Sequence, residues 1–137
     1  MAGKKILIVD DEEDIAFSMA RRLTAAGYEV ICAEDGVEGL KRAQTEGPDL
    51  IVLDLMLPKM DGYKVCRLLK FDERYKRIPI LMLSARGQQE DIALGRETGA
   101  EAYLTKPCEA GELLAKIQEL LGASQVRPGA SPANSGG

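Results

Sequence analysis

Histidine is missing from this 137-residue chain, and tryptophan with it. Without histidine there is no serine–histidine or cysteine–histidine nucleophile pair, and a mixed cysteine–histidine zinc site is excluded. The three cysteines, Cys32, Cys66 and Cys108, lie far apart and form no CxxC pair. Neither a disulfide framework nor a thiolate metal site is expected of them; they read as small, partly buried thiols in a reducing compartment. Long apolar runs are absent too. The longest, such as Ile6-Leu7-Ile8-Val9, reach four residues, whereas a membrane-spanning helix needs about 20. The N-terminal Met1-Ala2-Gly3-Lys4-Lys5 enters a strand-like run at once, with no apolar stretch or small-residue cleavage site of a secretory signal. The expected location is therefore the cytoplasm, with no membrane insertion. Basic excess is also lacking: 18 Lys and Arg stand against 22 Asp and Glu, a net charge of −4. That balance speaks against direct contact with DNA or RNA.

What remains is the composition of a soluble globular protein, 45% hydrophobic and 29% charged, at the length of one ordinary domain. Short apolar runs alternate with helical spacings. Ile6 to Val9, Leu50 to Leu53 and Ile80 to Leu83 are unbroken, as central parallel strands covered on both faces must be. Tyr28 to Cys32 and Ala102 to Leu104 are weaker and suit strands nearer an edge. Between them Ala16, Met19, Ala20 and Leu23 mark one helix face, with a stop at Gly27. Val37 and Leu40 mark a second helix, closed by Gly47-Pro48. Asp61 is the expected N-cap of a third, carrying Val65, Leu68 and Leu69. A polar fourth helix is expected from about Gln88 to Thr98. A fifth carries Leu113, Leu114, Ile117, Leu120 and Leu121. Five βα units of this kind make an α/β fold, a doubly wound parallel sheet with helices on both faces. The domain is expected over residues 1–122. From Ala123 to Gly137 the chain is rich in Ala, Ser, Gly and Pro, which reads as a flexible tail or the stub of a linker.

In such sheets the working site lies beyond the carboxyl ends of the strands. Asp10-Asp11 follow the first strand, Asp54 ends the third, Ser84 ends the fourth, and Thr105-Lys106 close the fifth. Two like charges about 4 Å apart repel by roughly 4 kcal/mol at an effective dielectric near 20. Clustered carboxylates on one rim therefore call for a cation or a shared proton. Oxygen-only donors suit a hard ion, and magnesium fits, completing its octahedron with waters and a phosphate oxygen. Lys106 adds a compact positive donor. Asp54 can then act as a carboxylate nucleophile in phosphoryl transfer, while the Ser84 hydroxyl donates to the phosphoryl group.

Four motifs, in order and at matching spacing, carry a family resemblance: VDDEED at Val9 to Asp14, DLMLPKMDG at Asp54 to Gly62, LSA at Leu83 to Ala85 and YLTKP at Tyr103 to Pro107. Over residues 4 to 121 the chain resembles the response-regulator receiver domain of two-component phosphorelays. The resemblance implies a flavodoxin-like (βα)5 fold with strand order 2-1-3-4-5. It implies Asp54 as phosphoacceptor, Asp11 binding Mg2+ directly with Asp10 acting through water, and the backbone carbonyl of Met56 as a further metal ligand; Mn2+ is a possible substitute. Ser84 and Lys106 would hold the phosphoryl group, Lys106-Pro107 would be a cis peptide, and Pro58 and Gly62 would shape the loop after the acceptor. Ser84 and Tyr103 would be the switch pair, acting on a face made of the fourth helix, fifth strand and fifth helix. Glu12 and Glu13 are read as first-turn helix acids. The implied partners are a sensor histidine kinase or phosphotransfer protein, docking near the first helix, where Ala16, Met19 and Ala20 must share duty with the core, and a downstream protein or the chain's own output domain. A phosphorylation-dependent homodimer is a further implied state.

The chain departs from the family at Cys108, where phenylalanine is usual, and at Glu109, a poorer N-cap. Met56 and Arg86 occupy positions that tune phosphoryl lifetime, and neither positions an attacking water readily. Slow self-dephosphorylation is expected. Among rival readings, an aspartate-nucleophile hydrolase would need a second aspartate where Met56 stands. A flavodoxin-like cofactor binder would not carry Asp10-Asp11-Glu12-Glu13 in its phosphate loop, and no P-loop sequence occurs. The remaining alternative is an interaction module that uses the fold without phosphorylation.

Overall fold

Residues 3–85, 99–106 and 108–125 are described by a computed structural model. Five strands, β1 (Lys5–Val9), β2 (Glu29–Ala33), β3 (Leu50–Asp54), β4 (Ile80–Ala85) and β5 (Ala102–Lys106), form one parallel sheet in the order β2-β1-β3-β4-β5. The helices are α1 (Glu13–Ala25), α2 (Gly36–Glu46), α3 (Gly62–Lys70) and α4 (Ala110–Gln125). The helix expected near 88–98, Arg86 and Pro107 lie outside the described residues, so the cis peptide and part of the switch face do too. The last helix runs through Gly122 to Gln125, past the boundary expected at 122.

The unbroken apolar runs occupy the three central strands because those strands have no wet face. Alternate residues divide between two cores, as the period of two along a strand requires. Ile6, Ile8, Leu50, Val52, Leu81 and Leu83 meet Ala16, Met19 and Leu23 of α1 and Leu113, Ile117 and Leu121 of α4. Leu7, Val9, Ile51, Leu53, Ile80 and Met82 meet Ala43 of α2 and Val65, Cys66 and Leu69 of α3. Edge position explains β2, where Cys32 is exposed although its neighbour Ala33 is buried. Asp61 caps α3 as expected, accepting from the Lys64 amide at 2.9 Å. Cys108 is half-buried against the α1–α4 core.

Two of the α1 residues expected to meet a partner are core residues: Ala16 and Met19 are buried, and Ala20 packs against the same cluster. The apolar surface that α1 offers is Phe17, 65% exposed, with the Arg21 guanidinium over its ring. Among the described residues no helix is long and apolar enough to cross a membrane.

One charge is drawn inward at the amino ends of β4 and β5. The Lys70 ammonium donates to the carbonyls of Lys76 and Ile78 at 2.9 and 2.8 Å and pairs with Glu101, which also accepts from the Ile80 amide at 2.7 Å. This ties the α3–β4 connection to the entry of β5. Replacing Lys70 by Met strips two carbonyls and a carboxylate of their donor, and stability should fall by about 2 kcal/mol. Denaturant unfolding measures it; an unchanged midpoint would show that water replaces the ammonium without loss.

Candidate functional site

Four side chains, from the β1–α1 connection, β3 and β5, converge at the carboxyl edge of the sheet. Asp10 follows β1, Glu12 precedes α1, Asp54 ends β3 and Lys106 ends β5. The Lys106 ammonium lies 3.1 Å from Asp10 Oδ2, 3.1 Å from Asp54 Oδ2 and 2.7 Å from Glu12 Oε1. The remaining aspartate oxygens turn to the backbone: Asp10 Oδ1 accepts from the Glu12 amide at 2.9 Å, and Asp54 Oδ1 from the Met56 amide at 3.2 Å. Asp10 and Asp54 are both buried. The close approach under β3 is made by Gly62, whose amide donates to the Leu55 carbonyl at 2.9 Å. A Cβ there would stand 2.3 Å from the Asp54 carbonyl oxygen, so only glycine lets α3 begin so near the end of β3.

Burial is the main force on Asp54 and pushes its carboxyl above the ordinary range; the Lys106 charge opposes this and the Asp10 charge adds to it. For Lys106, burial works downward, but the Glu12 hydrogen bond and the charges of Asp54 and Asp10 outweigh it and hold the ammonium above its usual value. Three carboxylates meet one ammonium, which leaves an excess of negative charge in a half-closed site.

The donor set fits a hard divalent ion. Oxygens of Asp10, Glu12 and Asp54 lie within 4.8 Å of one another. Nearby, Ser84 Oγ at the end of β4 is buried and lacks a hydrogen-bond partner among the described residues. An unmet buried hydroxyl costs about 1–3 kcal/mol, and beside an anion-offsetting lysine it is a donor in want of an acceptor. Register links it to the lysine strand, since Ser84 pairs with Thr105 and Ala85 with Lys106. Tyr103 is half-buried two residues before Thr105, against the α2–α3 core, and its hydroxyl reaches the Ala100 carbonyl at 3.4 Å.

The structure thus brings together Asp10, Asp54 and Lys106, with Ser84 at the neighbouring strand end. Met56 sits in the loop after Asp54 with its amide on that carboxylate and its side chain exposed. Asp11 is exposed and outside the carboxylate cluster, which takes in Glu12 instead. Glu13 is a first-turn acid of α1 as expected, but Glu12 is the N-cap and makes no capping bond with its side chain. Its longer side chain reaches back to Lys106. The available signal was that glutamate is a poor N-cap, which leaves its carboxylate free for other work.

The fold and this rim define a class of α/β protein with an acidic site at the carboxyl edge of a parallel sheet, and comparison with known proteins identifies the family. Residues 6–118 match the response regulator receiver domain. The chain is 48% identical over 124 residues to the alkaline phosphatase synthesis transcriptional regulatory protein PhoP of Bacillus subtilis, covering 90% of this chain and 51% of that protein. It is 49% identical over 117 residues to the DNA-binding dual master transcriptional regulator RpaA of Synechocystis, covering 85% of this chain and 48% of that one. The chain therefore spans about half the length of the curated relatives it matches. Among solved structures, a putative response regulator from Chloroflexus aurantiacus superposes with a TM-score of 0.84 at 38% identity, covering 88% of this chain and 98% of that one. The receiver domain of a sensor histidine kinase from Pseudomonas aeruginosa, solved with a magnesium ion coordinated in its active site cleft, gives 0.81 at 32% identity, with coverage of 88% and 99%. This chain belongs to the response regulator receiver family of two-component signal transduction.

A carboxyl whose folded pKa lies above its unfolded one holds more protons folded than unfolded between those two values, so stability falls as pH rises through that interval. Asp54 is such a group. At neutral pH Asp54→Asn, which mimics the protonated form, should melt at a higher temperature than the parent chain. The gap should close as pH drops below the ordinary carboxylate range. A variant that melts lower at pH 7 would mean that the Lys106 attraction outweighs burial.

Proposed function

We propose that this receiver domain is a magnesium-dependent switch that takes a phosphoryl group on Asp54 from a phosphohistidine of a sensor kinase or phosphotransfer protein. The observation that carries the reading is the Lys106 ammonium 3.1 Å from Asp54 Oδ2, with the Ser84 hydroxyl, which has no partner among the described residues, at the end of the neighbouring strand. An Asp54 oxygen attacks phosphorus, the bond from phosphorus to the donor imidazole breaks, and the electron pair leaves on that nitrogen. Lys106 shifts from carboxylate to phosphoryl oxygen, and Ser84 donates its hydroxyl to another. Asp10 and Asp54, with Glu12 or Asp11 and the Met56 carbonyl, would hold Mg2+ or Mn2+. When bound, the ion offsets the charge developing on the transferred oxygens.

Transfer would give Ser84 an acceptor where it has none among the described residues. Its inward movement, with rotation of Tyr103 on β5, would re-shape the surface of β5 and α4, together with the helix expected near 88–98 that lies outside the described residues. That face then controls a protein target or an output domain of the same polypeptide, and a phosphorylation-dependent homodimer is one form of such control. The two curated relatives are named as transcriptional regulators; the acidic balance of this chain favours action through a protein surface over direct contact with nucleic acid. The setting is cytoplasmic, and the chain acts as a signalling switch that catalyses only its own transfer and slow hydrolysis.

Incubation with magnesium and acetyl phosphate should add one phosphoryl group by mass. The gain should vanish in Asp54→Asn and on chelation, and its rate should drop on the order of a hundredfold in Lys106→Ala. No gain under any donor would favour a passive interaction module. Once labelled and freed of donor, the chain should keep its phosphoryl group for minutes or longer, because the thioether side chain of Met56 carries no carboxylate or carboxamide to orient water. Decay within seconds, followed by mass spectrometry, contradicts that expectation.

A further inference from the structure

The loop after the acceptor holds a conformation that its residues do not favour. Lys59 has a φ of 69°, a region non-glycine residues seldom enter. Around it the Met60 amide donates to the Pro58 carbonyl at 2.7 Å. A bond from residue i+2 back to residue i across a positive φ is a γ-turn of the rare, strained kind. Such strain persists only where the surroundings over-determine it.

The surroundings here are the start of α2. The Gly36 amide donates to the Pro58 carbonyl at 3.2 Å. A Cβ on Gly36 would stand 1.6 Å from the Met60 carbonyl oxygen, so loop backbone lies directly on helix backbone. Asp35 caps α2 through the Glu38 amide at 2.8 Å and also faces the Lys59 ammonium at 3.5 Å. Lys59 is 68% exposed, so that ion pair is weak; the backbone contact with Gly36 does most of the holding. At the other end of the loop Gly62 is fixed to Leu55. Met56 sits between the two anchors, with its amide on Asp54 Oδ1.

We propose that Gly36 is a positioning residue for the acceptor: it braces the Pro58–Lys59–Met60 turn, and the braced loop sets the Met56 amide that orients the Asp54 carboxylate. This rests on the reading of Asp54 as phosphoacceptor. A purely structural glycine would affect melting alone, whereas a brace must also move the Met56 amide and the chemistry at Asp54.

Three variants of the full chain separate these: Gly36→Ala, Lys59→Asn and Lys59→Val. Each is followed by thermal melting, by the amide resonance of Met56 without phosphodonor, and by the rate of labelling with acetyl phosphate and magnesium. Gly36→Ala should label at least about tenfold more slowly and displace the Met56 resonance. Lys59→Asn, which tolerates positive φ, should label at the parent rate. Lys59→Val, which does not, should slow labelling and displace the same resonance. A folded Gly36→Ala chain with the parent's rate and Met56 resonance overturns the proposal. If Gly36→Ala does not fold, Lys59→Val decides: parent-like rate and resonance overturn it, slowed labelling with a displaced resonance supports it. A parent chain that takes no label defeats the Asp54 reading instead, and the Met56 resonance in the variants still tests the brace.

Discussion

The ammonium of Lys106, reached by three carboxylates at once, organises the functional rim. Asp10 and Glu12 of the β1–α1 connection and Asp54 of β3 repel one another. They can share one rim because a single cation stands among them and because two aspartate oxygens are already bonded to backbone amides. One positive charge does not neutralise three negative ones. A further cation would offset that excess, and burial holds the Asp54 carboxyl above its ordinary range until one does.

The rest of the fold brings those groups to one place. Parallel strands all point their carboxyl ends the same way, so residues distant in sequence end on one rim. The two cores pack β1, β3 and β4 from both faces, and the register from Ser84 to Thr105 sets the Ser84 hydroxyl next to the strand that carries Tyr103 and Lys106. At the opposite edge, Lys70 and Glu101 fasten the entry of β5. The exit of that strand carries Lys106 to Asp54, while its entry is tied to the α3–β4 connection.

Much of this was legible in the sequence. Ile6 to Val9, Leu50 to Leu53 and Ile80 to Leu83 announced central strands because burial on both faces leaves no polar position. Asp10, Asp54, Ser84 and Lys106 announced the rim because each stands at the end of a strand run. Glu12 was not legible as a rim group, since its place depends on side-chain reach across to β5 rather than on periodicity. Apolar spacing marked Ala16 and Met19 as interior but could not reveal Phe17 as the exposed face of α1. Nor could any motif announce the γ-turn at Lys59, because its cause, the backbone of α2, is distant in sequence.

Excess negative charge at the rim is the central claim, and a magnesium titration without any phosphodonor tests it most directly. Followed by amide resonances, saturable shifts should concentrate at Asp10 to Glu12, Asp54 to Met56 and Lys106, and Asp54→Asn should weaken the binding. Magnesium that leaves those resonances unmoved, or moves them without saturation, would contradict the account.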